Sequence, residues 1–364
     1  AFAIGARLFS AYTGAYPGYA ATLQTAADRA WAFLTANPNN IQYNHTNFDN
    51  ANANQDDNAE KRLRFLAAAE LYRATGNATY RTYCDNNYNN ANTADGGYQP
   101  ITSNSFMPGA GDNMKRGLVS YCVAPGATAA VVSAIKTAIR NGADWYITAN
   151  LGNCPYRSYM WEGHYCWGSN GMKADWGNIA MYAVNTGANP PSDAAYRAAA
   201  EEYVHYFHGR NATAFCYLTQ SNTFGADKQI NEIYHSWFHH GTAFDTNPAP
   251  GFLAGGPNRD FAPASGSIIP PQNQPPMKAY KDWNTSWPEN SWEVTENSTG
   301  YQSRQVLLLA AFAGSSGPTA TPTMTPTNTP YLGTPTFTPT RTRTATNTPY
   351  LSPTVTPTNT PQPA

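Results

Sequence analysis

The stretch from residue 283 to residue 302 reads WNTSWPENSWEVTENSTGYQ and places carboxylates among tryptophans just before the last helix that the sequence predicts. Its carboxylates are Glu289, Glu293 and Glu296. A carboxyl group packed against indole rings is desolvated, which raises its pKa and suits it to be a general acid. The N-terminus of the next helix would oppose that shift. Composition alone supports equally the alternative that Glu293 and Glu296 only cap this helix.

Upstream of this stretch, the sequence predicts helices joined by long loops. Apolar residues recur at helical spacing, with capping or stop residues at the ends, in residues 19–36, 63–75, 128–140, 178–186, 192–208 and 302–312. No series of alternating apolar and polar residues predicts a strand. We therefore predict an all-α fold built from antiparallel helix pairs. The loops at residues 37–57, 158–170 and 224–258 are long, and the last two are rich in aromatic residues, which predicts a binding surface on one face.

The composition divides the chain at residue 314. Residues 315–364 hold 11 of the 28 prolines, 18 threonines and only two charged side chains, Arg341 and Arg343. Such a segment cannot bury enough apolar surface to offset the cost of ordering it. We therefore predict a folded domain over residues 1–314 and a disordered Pro/Thr-rich linker over residues 315–364 that tethers a further module, such as a carbohydrate-binding module.

Charge, cysteines and hydropathy exclude several classes of protein. The formal net charge is -1 and 12% of residues are charged, so the sequence shows no basic patch for nucleic acid. No apolar run is long enough to span a membrane. The five cysteines form no CxxC pair, and the spacing of Cys154, His164 and Cys166 matches no standard zinc site. The sequence has no GxSxG, HExxH or P-loop motif.

Two signatures resemble glycoside hydrolase family 9, whose cellulases fold as an (α/α)6 barrel. Gly255-Gly256-Pro257-Asn258 resembles the family's Gly-Gly-Pro-Asn motif, and residues 295–302 resemble its final Glu-containing motif without a gap. The resemblance covers nearly all of residues 1–314. It implies hydrolysis of β-1,4-glucosidic bonds in cellulose or related β-glucans, a secreted bacterial protein and no required cofactor. Calcium is common in the family, but no ligand set in this sequence can be named.

The resemblance also assigns site residues. It implies that Glu296 is the general acid, and Glu293, which would need a gap to fit, is the second choice. Trp167 lies in a segment that resembles the family's sugar-stacking tryptophan loop. The substrate-binding residues that we predict are Tyr301, His235, Trp167, Trp237, Trp292 and Asn258. The family's His-His-Arg motif is replaced here by residues 231–237, and His235 is our choice of sugar contact in that variant.

One expected motif is missing. The family's catalytic base comes from an Asp-Ala-Gly-Asp-type motif near the front of its domain, and no such motif occurs here. Asp56-Asp57 and Asp95-Gly96-Gly97 lack its context. Residues 1–9 already resemble the middle of a helix. We therefore expect the sequence to begin just after the base, so that the barrel is incomplete at its N-terminus and the chain alone is inactive.

Three alternatives stay open at this point. The chain could be a non-catalytic glucan-binding or structural module of a cell surface, which kept the aromatic loops. It could be an exo-acting enzyme that trims cellodextrins, since the variant His segment fits such a role. A polysaccharide lyase on a similar helical toroid is the weakest of the three, because both signatures fit family 9 better.

Overall fold

The described part of the chain is all-α, as the sequence predicted, with helices joined by long loops. The computed structural model describes residues 1–42, 56–90, 101, 103–109, 112–234, 241–243 and 248–313. Its contacts separate residues 1–312 from residues 313–364, and the described helices belong to the first of these units. No strand occurs in the described residues, where β pairing is limited to isolated bridges. The α-helices are α1 (Phe2–Phe9), α2 (Tyr19–Ala36), α3 (Asp57–Thr75), α4 (Ala78–Asn87), α5 (Asp112–Cys122), α6 (Ala129–Gly142), α7 (Ser169–Thr186), α8 (Asp193–Phe207), α9 (Trp292–Thr295) and α10 (Thr299–Ala310).

The limits of α3 show how local signals set the helix ends. The Asp56 carboxylate accepts the backbone N–H groups of Asn58 and Ala59, at 2.9 and 2.7 Å, and so caps the helix. At the other end Gly76 adopts a left-handed conformation and donates its N–H to Tyr72 O at 2.7 Å. The sequence predicted this stop and a capping box at residues 57–60 in front of a helix over residues 63–75, whereas the observed helix already begins at Asp57.

Helix α7 lies at the centre of the described fold and packs against α8 and α10. Fifteen of its residues are buried. The sequence predicted only residues 178–186 as helix, and this was wrong, because the helix begins at Ser169. A helix that is buried on all sides has no polar face and therefore no helical periodicity.

Glycines on α7 let its neighbours approach closely. A Cβ at Gly171 would lie 2.6 Å from Tyr301 Cδ1 on α10. A Cβ at Gly177 would lie 2.8 Å from Leu308 Cδ2 on α10 and 3.0 Å from Tyr203 Cβ on α8. Real side chains almost never come this close, so α10 can lie against α7 only because these positions carry no side chain.

A cluster of charged side chains also joins the central helices. Lys115 Nζ on α5 lies 2.6 Å from Asp175 Oδ2 on α7 and 3.1 Å from Asp112 Oδ1. Arg304 Nε on α10 donates to Asp112 Oδ2 at 2.6 Å. Lys115 and Asp175 are almost completely buried. Because an unpaired buried charge is strongly destabilising, this cluster fixes α5, α7 and α10 in one relative position.

The Pro/Thr-rich segment, the cysteines and the hydropathy of the helices complete the description of the chain. The linker predicted over residues 315–364 lies outside the described residues, so the division at residue 314 stays a prediction. The five cysteines are all described and all free. None of the described helices is long and apolar enough to cross a membrane.

Candidate active site

Glu296 lies directly after α9 and contacts the predicted tryptophan loop. Its Oε2 accepts the indole N–H of Trp167 at 2.9 Å, across 129 positions of sequence. Glu296 is half-buried, whereas Trp167 keeps 45% of its surface exposed. The structure therefore brings together a carboxyl group and an exposed indole that the sequence had selected separately.

The Gly-Gly-Pro-Asn segment packs directly against the backbone of this carboxylate. Gly256 N donates to Val294 O at 2.8 Å, and a Cβ on Gly255 would lie 2.8 Å from Glu296 O. Asn170, at the start of α7, donates its N–H to Gly255 O at 2.8 Å. Gly255 is needed because backbone meets backbone here, and Gly256 because it has a φ of 102° and lies against the Asn170 and Ser169 side chains. These close approaches join the segment that carries Glu296 to α7.

Tyr301 fills the space between the tryptophan loop and Glu296. A Cβ on Gly168 or on Gly171 would collide with the Tyr301 ring. Burial raises the pKa of the Tyr301 phenol, and the nearby charge of Glu296 raises it further. Tyr301 is thus a neutral, packed wall of the site that fixes the position of the backbone on which Trp167 is carried.

This packing predicts the cost of a side chain at Gly168. Gly168 has a φ of 81° at the N-terminus of α7, and Gly187 has a φ of 60° at its C-terminus. Both variants Gly168→Ala and Gly187→Ala should lose about 1 kcal/mol of unfolding free energy from backbone strain. Only Gly168→Ala also overpacks Tyr301, which should cost about 1–3 kcal/mol more.

Urea unfolding of the wild type and both variants checks this prediction. Gly187→Ala is the matched control, because the nearest atom to its new Cβ, Lys136 Nζ, lies 3.9 Å away. Equal losses for the two variants would mean that Tyr301 does not pack against the loop as described.

Glu293, the second choice for the acid, has different partners. Its Oε2 accepts the side-chain N–H of Asn258 at 3.2 Å and the backbone N–H of Ala262 at 3.3 Å. Burial raises the pKa of Glu293. Asn258 is only 2% exposed and bonds the Asp260 N–H as well. These contacts suit a pair that braces the loop after the Gly-Gly-Pro-Asn segment, and sugar binding by Asn258 stays a prediction.

Of the remaining predicted site residues, the structure describes Trp292 but not His235 or Trp237. Trp292 is half-buried and its ring centroid lies 5.3 Å from that of Tyr234. Tyr234, which the sequence analysis did not single out, donates its N–H to Thr295 O at 3.2 Å, so it runs beside Glu296. His235 and Trp237 lie outside the described residues. The presence of Tyr234 in the variant segment was the only sequence signal for its role.

No group of three metal-ligating side chains occurs in the described residues. His164 in particular is directed into the core, where its Nδ1 accepts the Trp176 indole N–H at 3.0 Å. Burial lowers the pKa of His164. The geometry of the site is that of a half-buried carboxyl group that accepts a hydrogen bond from an exposed indole.

Comparison with known proteins identifies the family. The model of glycosyl hydrolase family 9 matches residues 1–309. The chain belongs to glycosyl hydrolase family 9. The resemblance that the sequence suggested is thereby confirmed, and it favours a hydrolase over the lyase alternative.

Similar family 9 proteins include enzymes and a solved structure. Endoglucanase C of Cellulomonas fimi is 30% identical over 302 residues, which are 81% of this chain and 25% of that protein. The xyloglucan-specific endo-beta-1,4-glucanase BoGH9A of Bacteroides ovatus is 26% identical over 80% of this chain and 47% of that protein. The crystal structure of the family 9 endoglucanase J30 superposes with a TM-score of 0.63 at 24% identity, over 86% of this chain and 53% of that one.

The family 9 structures confirm the predicted (α/α)6 barrel as the fold class. The chain spans about half of the solved structure, and a quarter to a half of these two relatives. This chain therefore corresponds to only part of the family 9 barrel sequence.

Proposed function

We propose that this family 9 protein hydrolyses β-1,4-glucosidic bonds of cellulose or a related β-glucan, with Glu296 as the general acid. The observation that carries the proposal is the contact between the Glu296 carboxyl and the exposed Trp167 indole. A glucose ring stacked on Trp167 would have its glycosidic oxygen near this carboxyl. The similarity to two endo-glucanases supports the choice of bond.

The contacts of Glu296 suggest how it would deliver a proton. Trp167 donates its N–H to Oε2, which leaves Oε1 as the oxygen that can carry the proton. In the inverting mechanism this proton passes to the glycosidic oxygen as the bond from C1 to that oxygen breaks. A water molecule attacks C1 from the opposite face and gives its proton to a second carboxylate, about 6.5–9.5 Å from the first. We assign that base to no described residue.

The wider setting of the protein is part of the same proposal. We propose that residues 1–314 form the catalytic part, that residues 315–364 link it to a further module, and that the protein is secreted from a bacterium. The composition of the Pro/Thr-rich segment supports the linker. The two bacterial relatives support the source.

The stereochemistry of the product tests this function. The complete gene product and the 364-residue chain alone are each incubated with soluble cello-oligosaccharide, barley β-glucan and xyloglucan, and the first product is followed by proton NMR. We expect α-anomeric reducing ends from the complete product, since inversion at C1 converts a β-linkage into an α-hemiacetal. An initial β-anomer would contradict the inverting mechanism.

A glucan-binding module is the second candidate, and the exposed Trp167 favours it equally. Affinity electrophoresis in gels that contain β-glucan separates the two functions. Retarded migration of the complete product without any release of reducing ends would replace hydrolysis by binding. Release of reducing ends with little loss of viscosity would indicate exo-acting cleavage.

A further inference from the structure

The Asp282 carboxylate holds two consecutive backbone N–H groups. Its Oδ2 accepts from Asn231 N at 2.8 Å, and its Oδ1 accepts from Glu232 N at 3.2 Å. The Tyr280 hydroxyl lies 3.4 Å from the same Oδ1. Each oxygen therefore has its own donor on the segment Asn231–Tyr234, which belongs to the variant region of the sequence.

This segment leads directly to the candidate acid. Tyr234 donates its N–H to Thr295 O at 3.2 Å, and its ring centroid lies 5.3 Å from that of Trp292. Its hydroxyl lies 3.0 Å from Ser286 Oγ. The position of Tyr234 beside Glu296 thus depends on the path of a segment that Asp282 holds three residues earlier.

We propose that Asp282 is a positioning residue: its ionised carboxylate holds the Asn231–Tyr234 segment against the stretch that carries Glu296. The effect of this role on activity rests on the proposed glucan hydrolysis. The hydrogen bonds that hold the segment do not depend on that function. Asp282 touches no reacting atom and acts through Tyr234.

The charge on Asp282 matters because both of its oxygens face donors. A protonated carboxyl has no negative charge and carries a hydrogen on one oxygen, so that oxygen accepts an N–H group more weakly. One of the two hydrogen bonds is therefore weakened on protonation. Asparagine, with an NH₂ group in place of one oxygen, loses a brace in the same way.

The surroundings of Asp282 set the pH at which its carboxylate is protonated, and this pH is mildly acidic. Burial raises its pKa to about 6, although the N–H groups of Asn231 and Glu232, the Tyr280 hydroxyl and the charge of Lys228 act in the opposite direction. The carboxylate of Glu232 brings a further negative charge close to Tyr280. Beside Asp282 in sequence, the Lys281 ammonium lies 4.9 Å from the Trp283 ring.

Hydrogen exchange measures the bracing directly. In the 364-residue chain at pH 7, we expect the Asn231 and Glu232 amides to exchange at least about tenfold faster in Asp282→Asn than in the wild type. Asp227→Asn, which changes an exposed aspartate four residues before the segment, is the matched control and should leave these amides unchanged. Exchange in α7 reports whether a variant has unfolded as a whole.

The wild type provides the same test without a mutation. After correction for intrinsic exchange rates, the protection of these two amides should fall between pH 7 and pH 5. Unchanged protection in Asp282→Asn, or in the wild type at pH 5, would overturn the proposal whatever the protein's activity.

Kinetics of the complete gene product then test the effect on activity. For the wild type we expect KM on soluble β-glucan to rise several-fold from pH 7 to pH 5. Asp282→Asn should show the high KM already at pH 7 and little change with pH, while Asp227→Asn follows the wild type. A wild-type KM in Asp282→Asn would overturn the positioning role. If the wild type hydrolyses no β-glucan, the proposed function is refuted. The bracing by Asp282 would still stand if the Asn231 and Glu232 amides exchange faster in Asp282→Asn.

Discussion

Glu296→Gln is expected to lower kcat on unsubstituted β-1,4-glucans by about 10²- to 10⁴-fold, the usual contribution of a general acid. Glutamine keeps the shape of the side chain and can still accept the Trp167 N–H, but it carries no transferable proton at neutral pH. KM should change little, because the stacking face of Trp167 is retained. Initial rates of reducing-end release from the complete gene product measure the loss.

A substrate with a different leaving group shows whether the fall in kcat of Glu296→Gln comes from the lost proton. A 2,4-dinitrophenyl β-cellobioside needs little protonation of its leaving oxygen, so Glu296→Gln should hydrolyse it at close to the wild-type rate. Glu293→Gln is the matched control, and any loss that it causes should be the same for both substrates. If instead Glu293→Gln showed the dependence on leaving group, the acid would be Glu293.

Lys173 should make the free energy of unfolding rise with pH above neutrality. Its ammonium is completely buried and bonds Ser158 O at 2.7 Å and the Tyr165 hydroxyl at 2.9 Å. It also lies 4.5 Å from the ring centroid of Tyr206. Its partners are a carbonyl, a phenol hydroxyl and an aromatic ring, so burial lowers the pKa of Lys173 to about 7.

The direction of this change in unfolding free energy follows from the number of protons that the folded and the unfolded chain bind. Between pH 7 and about 10.5 the unfolded chain holds a proton on Lys173 that the folded chain has released. Stability therefore rises with pH there, by up to about 1.4 kcal/mol per pH unit, with a ceiling of about 5 kcal/mol. Below pH 7 both states are protonated, and this contribution to the slope disappears.

Chemical unfolding of the 364-residue chain at pH 7.5 and pH 9.5 measures this slope. Lys173→Met should flatten it by the amount that Lys173 contributes. Lys228→Met removes an exposed lysine and should keep the wild-type slope. Identical slopes in the wild type and Lys173→Met would mean that Lys173 is not buried as a neutral amine.

The sequence predicted some helices that keep an exposed face but missed others, α4 and α5, and it shortened the fully buried α7. Helix α2 has the limits Tyr19–Ala36 that apolar spacing and Asn37-Pro38 predicted. For α7 the same reasoning lost the first nine residues, because Gly168, Ser169, Asn170 and Gly171 have the composition of a loop. The left-handed backbone at Gly168 and the close approach of Tyr301 to Gly168 and Gly171 explain why glycine is needed there.

The candidate site was predictable as a set of residues but not as a set of partners. Motif resemblance selected both Glu296 and Trp167, yet nothing in the sequence joined them, because the bond between them depends on the fold. Asp282 was not singled out. A single aspartate between aromatic residues gives no sign that two backbone N–H groups will meet it.

The bond from Trp167 to Glu296 also bears on how the protein acquires its site during folding. Its two ends are 129 residues apart in sequence. Contacts of such long range close large loops and lower the folding rate. A molecule in which α7 and α10 have not yet docked cannot hold the acid against its indole. Recovery of activity during refolding would therefore report late assembly of the whole helical array, and would lag behind the recovery of helical signal.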